Sequence, residues 1–170
     1  MIHSKVLLLG ESPAAGTQHD PESWLAPGSS ASADRLLKFT GYDAETYLRT
    51  FDRDNLLHHL PKRSGKGRSF PLSRAKRQVG RVFWERPDSN QRIVMLGRRV
   101  AIAFNWYRWN KIVGPIRHRE LKYLKWYRIM DQYGFLLWAA VVPHPSGVNR
   151  WWNDANNRRR ARKFFRELKT

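Results

Sequence analysis

His144 stands in Pro143-His144-Pro145-Ser146-Gly147, directly after the apolar run 135–142. Such a run reads as a strand buried on both faces, so its end delivers one imidazole to the rim of a sheet. An imidazole there can donate or accept a hydrogen bond and can exchange a proton near neutral pH. Val148, Asn149, Arg150, Trp151 and Trp152 follow at once, a polar, basic and aromatic wedge. A second strand-like run, 5–9, ends in Gly10-Glu11-Ser12-Pro13. Glycine at that place permits a tight turn or the close approach of a ligand. Asp54 and Asn55 open a third run, 54–57. Neighbours on a strand point to opposite sides, so register decides which of the two faces a site.

The elements that must position these residues show the same logic. Four short apolar runs, 5–9, 54–57, 92–96 and 135–142, lack clean alternation, as strands covered on both faces do. Helical patterns are found at 33–39, stopped by Gly41, and at 98–106, opening after Gly97. A third covers 116–130, with a basic and aromatic outer face. A fourth covers 155–168, capped by Asn153 or Asp154, with Ala161, Phe164, Phe165 and Leu168 inward. Strands alternating with helices predict an α/β fold, a three-layer α/β/α sandwich on a central four-stranded parallel sheet. Ligands of such sheets bind beyond the carboxyl ends of the strands, where the glycine and histidine motifs both fall. A length of 170 residues predicts one domain over 1–170. Within it, 62–81 reads as a mobile basic loop with eight Lys and Arg and no acidic residue.

Charge narrows the partner. The chain carries a net +18, with five Lys and Arg against eight Asp and Glu in 1–61 but 27 against six in 62–170. A folded, Trp-rich chain this basic predicts a polyanion, with nucleic acid ahead of an anionic membrane. Cysteine is absent, so disulfides and thiolate-held metals are excluded. No apolar run approaches the ~20 residues of a membrane span. No secretory signal is seen, and a cytoplasmic location is expected. The adjacent His58 and His59 do not suit one metal on a strand, and Ser64-Gly65-Lys66-Gly67 lacks the spacing of a phosphate-binding loop. No metal, cofactor or membrane is therefore expected. No apolar heptad or spare hydrophobic face is evident, so a monomer is expected.

Taken in order, Leu9-Gly10-Glu11-Ser12-Pro13, Asp54-Asn55-Leu56-Leu57, Met95-Leu96-Gly97-Arg98 and His144-Pro145-Ser146-Gly147 resemble the motifs of the uracil-DNA glycosylase superfamily. The resemblance runs from about Val6 to Trp152 and rests on order more than on any one short motif. It implies DNA as partner and excision of a flipped base. It implies that His144 donates a hydrogen bond to the departing base and that Asn55 reads the base edge. Ser146, Val148, Asn149, Arg150 and Trp151 would form the loop that enters the duplex. Trp24 is the candidate for stacking on the base. Lys62, Arg63, Lys66 and Arg68 are candidates for phosphate contact.

Departures from the family are informative. The uracil enzymes carry a water-positioning aspartate where this chain has Ser12, which cannot act as a base. Glu11, Asp20 and His19 are the candidates to replace it. Gly-Glu-Ser-Pro is nearer the members with Gly-Glu-Ala-Pro, yet their cluster-binding cysteines are missing, so the resemblance is to a divergent member. Ala14 stands where uracil enzymes place a tyrosine against the pyrimidine 5-position. Its small side chain admits thymine or a larger 5-substituent, unless Trp24 fills the gap. Asp54 beside Asn55 leaves open a carboxylate facing a cytosine amino group. The expected activity is that of a monofunctional DNA glycosylase, since no lysine sits near the motifs. Its substrate is uracil or a bulky 5-modified pyrimidine, such as glucosylated hydroxymethylcytosine of phage DNA. The rivals are a DNA-binding module of this fold without chemistry, for which Ser12 argues, and a group-transfer enzyme on modified bases.

Overall fold

The computed structural model describes residues 5–17, 19–61, 63–64, 67–68, 70–84, 92–104, 107–108, 121–130 and 136–168. β1 (Val6–Gly10) is buried along its whole length, which accounts for its unbroken apolar sequence. α1 (Ala31–Thr40) begins at Ser30, whose hydroxyl accepts the Ala33 N–H at 3.2 Å. Gly41 ends it at φ 73°, a left-handed position that favours glycine. α2 (Ala44–Thr50) is capped by Asp43, whose carboxylate accepts the Thr46 N–H at 2.7 Å. β2 (Phe51–Asn55) follows, then a small hairpin of β3 (Arg63–Ser64) and β4 (Gly67–Arg68), then α3 (Leu72–Trp84). Next come β5 (Arg92–Leu96), α4 (Arg98–Ala103), β6 (Tyr107–Arg108) and β7 (Trp126–Met130). β8 (Leu136–Val142) leads through the histidine loop to α5 (Ala155–Arg166), capped by Asp154.

The main sheet has the order β2-β1-β5-β8-β7-β6. β2, β1, β5 and β8 run parallel, and β7 and β6 extend the β8 edge antiparallel. The fold is thus α/β with a mostly parallel sheet, compatible with a three-layer sandwich, but with six strands where the sequence predicts four. Odd and even positions of the strands feed two separate cores. Leu7, Leu9, Ile93, Met95, Ala139 and Val141 pack with Ala75, Val79 and Val82 of α3 and with Val100 of α4. Val6, Leu8, Val94, Leu96, Ala140 and Val142 pack with Leu36 and Phe39 of α1, Tyr47 of α2, and Ala161, Phe164 and Phe165 of α5. Helices therefore cover both faces.

Four expectations need correction. The helix expected over 116–130 is a strand at 126–130, and 116–120 lies outside the described residues. Trp126-Tyr127-Arg128-Ile129-Met130 is rich in aromatic and β-branched side chains and pairs residue for residue with β8, so sheet pairing wins there. The basic loop expected over 62–81 is helical from Leu72. Ala75, Val79 and Val82 recur at helical spacing and are buried, which a count of charges conceals. The second strand spans Phe51–Asn55 and not 54–57, because buried Phe51 opens it. The helix expected at 98–106 is described as Arg98–Ala103, with 105–106 outside the described residues. No helix among the described residues is long and apolar enough to cross a membrane.

Phe165 is fully buried and meets Phe51 edge-on at 6.0 Å between ring centres. Phe165→Ala is expected to cost about 3–5 kcal/mol, read as a lower denaturation midpoint with an unchanged denaturant slope.

Candidate active site

The parallel strands end together, and a pocket of about 260 Å³ opens at their carboxyl ends. Gly10, Glu11, Ser12, Pro13 and Ala14 form one wall, and Asn55, Trp24, Leu96 and His144 line the rest. Ser29, Ser30 and Ser32 at the start of α1 add hydroxyls, with Thr17 beside them. Residues far apart in sequence are thus gathered at one point by the β2-β1-β5-β8 order.

Register settles the Asp54–Asn55 ambiguity. Gly10 pairs with Asn55, and the Asn55 side chain lines the pocket. It is 2% exposed, and its Oδ1 has no hydrogen-bond partner among the described residues. A buried acceptor left unpaired costs about 1–3 kcal/mol, a cost the strand end carries at this position. A Cβ on residue 10 would lie 2.3 Å from this Oδ1, so only glycine lets the amide sit there. Asp54 points elsewhere and does not line the pocket. Its Oδ2 lies 3.1 Å from Arg81 Nη1, and its Oδ1 accepts the Asn55 N–H at 2.6 Å. Arg81 Nη2 also donates to the Asn55 carbonyl at 2.9 Å. Arg81, read from sequence as part of a basic loop, is a clamp from α3 that fixes the strand end.

His144 is held at three points. Its carbonyl accepts from Asn149 Nδ2 and from Trp152 Nε1, each at 3.0 Å. Its ring Nδ1 accepts the Ser146 N–H at 3.2 Å. That bond places the proton of the neutral ring on Nε2. Burial lowers the His144 pKa, Glu11 opposes the shift, and Arg99 adds to it. The ring is therefore a neutral donor at pH 7. Glu11 lies across Gly97 from the histidine: a Cβ on Gly97 would meet His144 Cβ at 3.2 Å and Glu11 Oε1 at 3.6 Å. Gly97 has φ 105°, a second reason for glycine there. Glu11 Oε2 is 3.5 Å from the exposed Arg99 guanidinium.

Of the three candidates for positioning water, only Glu11 reaches the pocket. His19 and Asp20 are exposed, and Asp20 caps the turn at Pro21–Ser23. Ser12 and Ala14 line the pocket, as does buried Trp24, whose indole N–H donates to the Thr17 carbonyl at 2.7 Å. In the loop after His144, Val148 is 89% exposed at the tip, and Arg150 is exposed. Ser146 is half-buried and holds His144 through its backbone. Asn149 is turned inward, its side chain bonded to the His144 carbonyl and to the Trp151 N–H. Trp151 is half-buried, edge-on to Tyr123 and Trp152, so Val148 is the apolar side chain that projects. Lys62 and Lys66 lie outside the described residues; Arg63 and Arg68 lie on the hairpin, and their side chains are not described.

Sequence reasoning missed several supports of the pocket. Leu25 lines it at φ 56°, a strained value for leucine, and its carbonyl accepts the Tyr47 hydroxyl at 3.0 Å. Burial raises the Tyr47 pKa, so this hydroxyl stays protonated and donating. Trp152 joins site to core, stacking on Phe39 at 3.9 Å while its indole bonds to His144. The serines of α1 enter because the helix starts at Ala31, earlier than the apolar pattern from 33 suggests. Among the described residues no lysine lines the pocket, and no cluster of metal-binding side chains is found. Comparison with family models, curated proteins and solved structures gives no match.

Because the folded-state pKa of His144 lies below its unfolded value near 6.5, the unfolded chain takes up the proton first on acidification. The stability contributed by the neutral ring is full above about pH 6.5 and is lost as pH falls below it. The ring resonances of His144 are expected to titrate below pH 6.5, with the neutral Nε2–H form filling the plateau above. A midpoint above 6.5 would contradict this arrangement.

Proposed function

We propose that this chain is a monofunctional DNA glycosylase that takes a flipped pyrimidine into the pocket and hydrolyses its N-glycosidic bond. The observation that carries this reading is the meeting of Gly10–Ala14, buried Asn55 with its unpaired Oδ1, and neutral His144 in one pocket at the strand ends. Asn55 offers an amide to the base edge, matching the donor and acceptor pattern of a pyrimidine. As the bond between C1′ and the base nitrogen breaks, its electron pair leaves with the base. His144 Nε2–H donates to the developing anion. The Glu11 carboxylate faces the sugar cation and orients a water, which adds to C1′ and gives its proton to Glu11, from which a proton returns to the departed base anion. The products are a free base and an abasic site. The exposed Val148 fills the space left in the duplex, and the net charge of +18 supplies attraction to phosphates. The enzyme would act as a monomer in the cytoplasm.

A bulky 5-modified base is favoured over uracil by the pocket itself. Its 260 Å³ exceeds the ~150 Å³ that suffices for a benzene ring. Ala14 lines the pocket with a small side chain, and Thr17, Ser29, Ser30 and Ser32 line it as well. Thr17 and Ser29 donate to backbone carbonyls of Ala14 and Ala26, so their lone pairs remain to accept from a hydroxylated substituent. This fits a role in defence against phage whose cytosines carry sugar.

Duplexes containing uracil, hydroxymethylcytosine or glucosylated hydroxymethylcytosine should be incubated with the protein and the freed base identified by mass spectrometry. Release of the glucosylated base in preference to uracil is expected, with His144→Ala about 10²–10³-fold slower. Tight DNA binding with no base released would leave a binding module in place of an enzyme. An altered base without an abasic site would indicate group transfer.

A further inference from the structure

α5 carries Arg158, Arg159, Arg160, Arg162, Lys163 and Arg166 and no acidic residue. Like charges therefore recur three and four residues apart, as in Arg158 with Arg162, Arg159 with Lys163, and Arg162 with Arg166. Each such pair works against the helix. The helix is held by its other side, where Ala161, Phe164 and Phe165 are buried. A stripe of exposed Arg159, Arg162, Lys163 and Arg166 is left facing solvent. Arg158 turns back to the carbonyls of Trp152 and Asn153, and Arg159 and Arg160 bond only to neutral Asn156 and Asn157. Among the described residues no ion pair neutralises the stripe. A local rule broken without local compensation points to a partner.

The stripe is remote from the pocket. Arg162 rests its aliphatic stem against Gly41, at the far end of α1 from the pocket-lining Ser30 and Ser32. Ten helical residues span about 15 Å. α5 runs back from the strand ends on the face that α1 also covers. A duplex laid across the strand ends to present a nucleotide does not run along it. The basic side chains instead border a shallow groove of about 590 Å³, with Glu167 as its one acidic residue.

We propose that this face of α5 is a second DNA contact, holding the phosphate backbone of a segment other than the one at the pocket. Arginine forks pair with phosphate oxygens in two parallel bonds, and the stripe presents three of them with one lysine. Two contacts on one chain let it grip a second segment before releasing the first. The proposal rests on charge and placement and holds whether or not the pocket releases a base.

Native mass spectrometry with a duplex of about 10 base pairs tests it, since so short a duplex covers one face only. Wild-type protein is expected to bind two duplexes. The combined variant Arg159→Gln, Arg162→Gln, Lys163→Gln, Arg166→Gln is expected to bind one, with the first affinity within twofold of wild type. Four phosphate contacts predict that the second affinity of wild type falls roughly a hundredfold between about 50 and 200 mM salt. The variant should melt no lower than wild type, because the substitutions remove repulsion. One duplex per wild-type chain, or two on the variant, overturns the proposal. A second site that takes duplex RNA but not DNA overturns it in favour of an RNA partner.

Discussion

The site rests on the close approach of Asn55 to Gly10 across the β1–β2 ladder, which places a buried amide oxygen where any other residue at position 10 would put its Cβ. Holding an amide oxygen there unpaired needs support from behind, and Arg81 supplies it. One guanidinium nitrogen bonds to the Asp54 carboxylate and another to the Asn55 carbonyl. Charge-assisted bonds of this kind are stronger than neutral ones. They also make the arrangement unforgiving, since removing either partner leaves a charge in a half-buried place. Asp54 thus belongs to the frame of the site, and its neighbour Asn55 lines the pocket.

His144 depends on a different strand, β8, and on the other core. Trp152 stacks flat on Phe39 of α1 and donates its indole N–H to the His144 carbonyl. Packing between β8, α1 and α5 is therefore transmitted to the position of one imidazole. The same core includes Tyr47, whose hydroxyl secures the strained Leu25 in the pocket wall. Strain of this kind persists only where surrounding structure over-determines it. α2, which presents no chemical group to the pocket, is nevertheless part of what shapes it.

Local signals in the sequence carry the ends of β5 and β8, the Gly41 stop and a cap at Asn153 or Asp154, because each depends on a few neighbouring residues. Long-range choices are where reading fails. Trp126–Met130 satisfies a helical as well as an extended pattern, and only pairing with β8 decides. The segment 62–81 looks like a linker because its Arg and Lys conceal the small buried side chains of α3. Asp54 and Asn55 are indistinguishable without the register that pairs Gly10 with Asn55. Trp151 and Trp152 divide as adjacent bulky side chains must, but which is buried follows from Phe39, which no local pattern reveals. The candidate pocket was therefore legible as a set of motifs, and the props that hold it were not.

In a chain of net charge +18, no Lys or Arg lines the pocket among the described residues. Burial and the Arg99 guanidinium both disfavour imidazolium at His144, and the Glu11 carboxylate only partly offsets them. The physical consequence bears on the proposed chemistry. A cationic histidine would attract DNA phosphates in the ground state as well as in the transition state, and binding both equally does not speed the chemical step. A neutral ring with Nδ1 already engaged offers one directed N–H, which gains strength only as charge appears on the departing base. On the proposed chemistry, bulk attraction to DNA would be left to the basic surface, and the pocket would retain a donor whose effect grows along the reaction coordinate.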